Sequence, residues 1–173
     1  HNMTSIDSLW FEQEYWIYPS SGSTYNLDST MIFLPNAFEG QYYEETISFY
    51  ASDILSLDIN GETFDLPFIS VVIDNVVTPE GIIYECNIEN CMFTPYSLGE
   101  IILSGIPTFD AEYSLDITAI VTVNAAPLGL PMDITFPIPY DGSNALLNMA
   151  LGGDYSEVNS LMPTFFINVI GNI

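Results

Sequence analysis

The side chains best able to do chemistry in this chain are its carboxylates. Glu12 and Glu14 fall on one face of an extended segment beside Trp10, Trp16 and Tyr18. Two carboxylates flanked by aromatic rings could cleave a glycosidic bond, one as acid and the other as base or nucleophile. Asp58, Asn60, Glu62 and Asp65 in DINGETFD supply the oxygen atoms of a calcium loop, but Gly61 stands fourth where such a loop needs glycine sixth. Asp28-Ser29-Thr30 departs from the Asp-Thr/Ser-Gly signature of acid proteases at the glycine, and Gln13 and Gln41 are the only glutamines available for a Glu/Gln pair. His1 has no second histidine with which to build a copper site. Where acids are this frequent, pairs arise without catalytic meaning. The expectation is therefore no catalytic residue, no enzyme, no bound metal and no cofactor, although surface calcium is compatible with the charge density.

The opposite sign of charge is missing. The 173 residues contain 23 Asp and Glu and not one Lys or Arg, giving a formal net charge of −23. A typical domain of this length would carry about 20 basic residues. Nucleic acid is excluded as a partner, because no side chain can neutralise phosphates. A P-loop, a Schiff-base lysine and a polybasic hold on anionic lipid are excluded with it. Two environments favour such a composition. A protease-rich one finds no Lys or Arg to cleave after. A strongly acidic one protonates the carboxylates below about pH 3 and leaves about two positive charges, on His1 and the amino terminus. The mutual repulsion of cations that unfolds ordinary proteins in acid cannot then develop. At neutral pH the carboxylates repel one another unless salt or cations screen them. A halophile fits less well, since only 13% of residues are charged.

Cys86 and Cys91 sit close together in ECNIENCM, which suggests a local disulfide in an oxidising compartment. A metal site would need further soft ligands that the chain does not have. Asn2-Met3-Thr4 is a glycosylation sequon, so a glycan at Asn2 is expected. A chain starting at His1 suggests a mature product whose leader has been removed. No apolar run reaches the roughly 18 residues of a membrane span. These features together point to an extracellular or cell-surface protein that is not transmembrane.

The elements that must position these groups read as strands. In YSLDITAIVTV, Tyr113, Leu115, Ile117, Ala119, Val121 and Val123 share one face. Asn60-Gly61 between LSLDI and ETFDL predicts a hairpin with a type I′ turn. A second hairpin is expected from Ile69 through Thr78-Pro79-Glu80-Gly81 to Cys86, and a third joins residues 119–123 to 132–138. Further strands are expected at 10–18, 30–34, 46–51, 100–103 and 164–170, with one short helix at 144–151 that Gly152-Gly153 would stop. The sum is a single all-β domain over residues 1–173, an antiparallel β-sandwich, Ig-like or jelly-roll-like, of about ten strands.

The stretch from Cys86 to Val123 combines a close cysteine pair, Tyr96-Ser97-Leu98 and Gly105-Ile106-Pro107 before a long strand. In this it is similar to the ML family of secreted β-sandwich lipid carriers, over under a quarter of the chain. That resemblance implies an alternative role as a carrier of a lipid or other apolar ligand. The composition and strand pattern point first to a structural subunit of an extracellular filament, pilus-like thread or surface coat, a homopolymer built by strand exchange. Residues 5–18 are the expected donor strand. Leu9, Phe11, Tyr15 and Ile17 alternate with Trp10, Trp16 and Tyr18, so the segment is apolar on both faces, unlike an ordinary exposed edge strand. The segment 164–170 is the second candidate. Protonated carboxyl groups can donate hydrogen bonds to one another, so clustered acids such as Glu44-Glu45 are expected to strengthen contacts in an assembly at low pH and to repel above about pH 5.

Overall fold

The computed structural model of the chain describes residues 3–5, 16–26 and 31–172. It begins with β1 (Met3–Ser5), β2 (Ile17–Pro19), β3 (Thr24–Asn26), β4 (Met31–Phe33) and β5 (Ala37–Phe38). The middle of the chain forms β6 (Tyr43–Phe49), β7 (Ile54–Ile59), β8 (Glu62–Val76), β9 (Ile82–Cys86) and β10 (Met92–Phe93). Then follow β11 (Gly99–Gly105), β12 (Ala111–Leu115), β13 (Ile117–Asn124), β14 (Asp133–Ile138), the helices α1 (Ala145–Leu151) and α2 (Ser156–Asn159), and β15 (Thr164–Ile170).

The strands make three sheets. The first runs β1-β3-β4-β15-β12 with β5 beside β15; the second runs β10-β8-β13-β14 with β7 on β8; the third runs β2-β6-β11-β9. The protein is thus an all-β sandwich of largely antiparallel sheets. The second and third sheets face each other: Trp16 lies 4.9 Å from Phe68 of β8, and Phe49 of β6 stacks on Phe93 of β10 at 5.5 Å. Within the first sheet, β15 pairs with β4 and β5 in parallel, a departure from the purely antiparallel expectation.

Local turn chemistry accounts for the hairpins that form. Asn60 and Gly61 have φ of 53° and 81°, the left-handed pair a type I′ turn requires, and Ile59 pairs with Glu62 across it. β13 and β14 pair from Ala119–Ile138 to Asn124–Asp133 as expected. The predicted 113–123 strand instead breaks at Asp116: β12 pairs with β15 in the first sheet, while β13 pairs with β8 and β14 in the second. The apolar face runs through the break, so one alternating stretch feeds two sheets. Leu115, Ile117, Ala119, Val121 and Val123 are all buried.

The expected hairpin from Ile69 to Cys86 does not form. β8 pairs with β7, β13 and β10, and β9 pairs with β11 of the opposite sheet. The reason lies in the turn. Gly81, at φ 94°, is pressed against the backbone after β11, where an added Cβ would stand 1.9 Å from the Ile106 carbonyl oxygen. The Ile106 N–H donates to the Gly81 oxygen at 3.0 Å. The turn therefore carries the chain across the sandwich instead of back along β8.

The expected helix at 144–151 is α1. Asn144 caps it by accepting the Leu147 N–H at 3.0 Å, and Gly152 ends it at φ 65°. The same Asn144 donates its amide to the Thr135 carbonyl, which covers part of the outer edge of β14. Pro137 removes a donor from that edge as well. The core is a continuous cluster in which Phe93, Phe136, Phe165 and Leu103 are almost wholly enclosed. Burying each such side chain stabilises the fold by about 1.5–3 kcal/mol relative to leaving it in water.

Candidate functional site

The cysteines close a loop at the end of β9. Cys86 and Cys91 are bonded, with an S–S distance of 2.07 Å and Cα atoms 5.4 Å apart. Asn90 and Cys91 take left-handed conformations to make the short connection. Asn87 fastens the loop to β11, donating to Leu98 O at 3.1 Å and accepting from Glu100 N at 2.7 Å.

Strand order decides which segments could be exchanged between molecules. Among the described residues β1 (Met3–Ser5) and β2 (Ile17–Pro19) end the first and third sheets. Within the described residues β2 pairs with β6 at Ile47, Ser48 and Phe49. Among the described residues β9 pairs only with β11, so it ends the third sheet on the other side, with Ile83 59% exposed on it. β15 lies inside its sheet, with β4 and β5 on one side and β12 on the other. Phe165, Ile167 and Val169 are buried there, so this second donor candidate is an interior strand of its own domain.

Of the expected donor residues, Ile17 is buried and pairs with Phe49, and Trp16 is half-buried between Phe49 and Phe68. Leu9, Trp10, Phe11 and Tyr15 lie outside the described residues, as do the glycosylation candidate Asn2, the acid pair Glu12 and Glu14, and His1.

The carboxylates reveal how a chain without cations satisfies its acids. Every Asp and Glu among the described residues is at least partly exposed. Hydroxyls and amides serve as their donors. Ser56 donates to Asp65 at 2.6 Å, Ser114 to Asp116 at 2.7 Å, Tyr42 to Glu44 at 2.9 Å, and Asn124 to Asp133 at 3.0 Å. Thr63 donates to Asp58, so in the calcium-like segment Asp58 and Asp65 are each paired with a hydroxyl across the hairpin. The Ser156 backbone N–H and hydroxyl hold the Asp154 carboxyl below its usual range, and the Ser143 hydroxyl and N–H do the same for Asp141. The hydrogen bond to Glu44 pushes the Tyr42 phenol up, and burial pushes up that of Tyr43.

Glu44 and Glu45 stand on opposite faces of β6. Neighbours on a strand point to opposite faces, and Glu45 shares the inward register of Tyr43 and Ile47 while Glu44 faces solvent.

Among the described residues, no three His, Cys, Asp or Glu side chains converge closely enough to hold a metal ion. A cavity of about 460 Å³ opens at the tip of the β7–β8 hairpin, lined by Asp58, Asn60, Thr63, Leu151, Asp154 and Glu157. It lies at the hairpin tip and is largely polar. Among the described residues no helix is long and apolar enough to cross a membrane. Sequence reasoning passed over one further grouping, Tyr50, Asp53 and Tyr96, which meet at the surface although Asp53 and Tyr96 are 43 positions apart.

No family model matches the chain, and no curated protein matches it. Among solved structures it is similar to the ASH / PapD-like domain of human CEP192, PapD-like domain 7. That similarity has a TM-score of 0.32 and 10% identity over 91% of this chain and 87% of that one.

Proposed function

We propose that the protein is a structural subunit of an extracellular filament, pilus-like thread or surface coat, polymerised by β-strand exchange in acid or protease-rich surroundings. It performs no catalysis and needs no cofactor. The observation that carries this reading is the position of the N-terminal strands. Among the described residues β1 and β2 end two different sheets. Exchanging such strands for a neighbour's copies conserves every backbone hydrogen bond while linking molecules. The pairing of acids with hydroxyls supports the acidic setting. A protonated carboxyl keeps a carbonyl oxygen that still accepts an O–H, whereas an ion pair is lost on protonation. The disulfide is in keeping with an oxidising, extracellular location.

A crosslink across the β2–β6 pair tests the exchange. Tyr18 and Ser48 are Cα partners, so Tyr18→Cys with Ser48→Cys places two thiols face to face wherever β2 and β6 meet. If neighbours exchange this strand, oxidised assemblies run as a covalent ladder on non-reducing gels. A monomer band alone, with the new disulfide formed inside it, would overturn the exchange.

A further inference from the structure

Tyr50, Asp53 and Tyr96 form a fixed, exposed aromatic notch beside a carboxylate. The Tyr50 and Tyr96 rings stand 6.4 Å apart at 61°, and they are 45% and 60% exposed. Here each element is pinned. The Tyr50 N–H donates to Trp16 O at 2.8 Å, the Tyr96 N–H to Ala51 O at 2.8 Å, and the Phe68 N–H to Asp53 O at 2.8 Å. The Tyr96 hydroxyl donates to Asp53 Oδ1 at 3.0 Å, which fixes one carboxylate oxygen. Tyr96 also holds φ at 59°, a conformation unfavourable for a bulky side chain that persists only where surrounding contacts impose it.

We propose that this notch is a binding site for a neutral saccharide. The apolar C–H face of a pyranose ring packs on an exposed aromatic face, and its equatorial hydroxyls supply donors to the carboxylate. The chemistry is one this chain already uses, since its acids are satisfied by hydroxyls at Ser56–Asp65, Ser114–Asp116 and Ser156–Asp154. At neutral pH the formal charge of −23 disfavours anionic saccharides, so among sugars the neutral ones fit the notch. The Tyr96 ring, held by its hydroxyl bond to Asp53, lowers the ordering cost of binding.

The test is a titration of isotope-labelled subunit with cellohexaose, laminarihexaose and mannohexaose, read by amide chemical shifts and calorimetry. At least one of the three should give saturable shifts at residues 50–53 and 95–97 that raised salt leaves unchanged. Tyr96→Gly removes the ring and relieves the left-handed backbone, so the fold should be as stable as before while affinity falls about ten-fold or more. Tyr50→Ala should weaken binding comparably. Absence of binding by all three oligosaccharides overturns the proposal, as does an affinity that both substitutions leave intact. Binding of a lysine-rich peptide in place of the sugars, abolished by salt, would reassign the notch to cationic ligands and overturn it too. The readout does not depend on polymerisation.

Discussion

Gly99 opens β11 directly beneath a ring that cannot move. A Cβ built at this position would stand 2.6 Å from two carbon atoms of the Phe93 ring and 2.8 Å from a third. Phe93 is fully buried and stacked on Phe49 at 5.5 Å, so the ring has no solvent side to swing into. Gly99→Ala should therefore destabilise the protein by about 1–3 kcal/mol, the usual cost of an added methyl in a packed interior. In a domain of this size that lowers Tm by roughly 2–12 °C. The strand backbone itself accepts alanine, which alone would stabilise by about 0.4–1 kcal/mol. Phe93→Ala should cost about 3–5 kcal/mol. In that background Gly99→Ala should cost nothing or gain slightly, giving a coupling of about 2 kcal/mol between the two positions. Urea unfolding of the two single variants and the double variant, followed by circular dichroism, measures the cycle. A Gly99→Ala protein as stable as wild type, or additive substitutions, would refute the packing of the second sheet against the third.

Other expectations rest on single contacts. Burial holds the Tyr43 phenol above its ordinary range, so its contribution to stability is complete below about pH 10 and is lost as pH rises towards the folded value. Tyr43→Phe should accordingly flatten the alkaline fall in stability, measured by thermal melts across that range. The hydrogen bonds from Ser156 lower the Asp154 value, a stabilisation present above about pH 4 and lost in stronger acid. Ser156→Ala keeps the backbone N–H and removes only the hydroxyl, so it should weaken the protein more at neutral pH than near pH 2, where the protonated carboxyl still accepts a weaker O–H bond, as urea melts at the two pH values would reveal. Removing the disulfide with Cys86→Ala and Cys91→Ala should cost about 2 kcal/mol, in keeping with a short closed loop, as read by urea titration. Asn144→Ala loses the α1 cap and should cost about 1 kcal/mol, visible as a lower Tm.

What the sequence made legible is what neighbours along the chain decide. Asn60-Gly61 announces its hairpin because few residues accept two successive positive φ angles. Asn144 and Gly152 bracket α1 for equally local reasons. Alternation marked the inward face of residues 113–123 correctly, but it could not say which sheet receives each half, since a buried face looks the same on either side of Asp116. The same blindness made β8 and β9 look like a hairpin. Their apolar alternation does not distinguish one partner strand from another, and the contact of Gly81 with Ile106 that turns the chain away joins positions far apart in sequence. The parallel pairing of β15 with β4 and β5 has no local signature. Nor does the notch, whose three side chains come from segments joined only by the folded backbone.

Electron microscopy of the native protein at about pH 3, and again at about pH 8 with a chelator, tests the structural role most directly, because the two conditions bracket the protonation of most carboxylates. Ordered filaments or sheets in acid, built on a repeat the size of one domain, are the predicted result. Isolated compact particles under both conditions would contradict assembly by strand exchange.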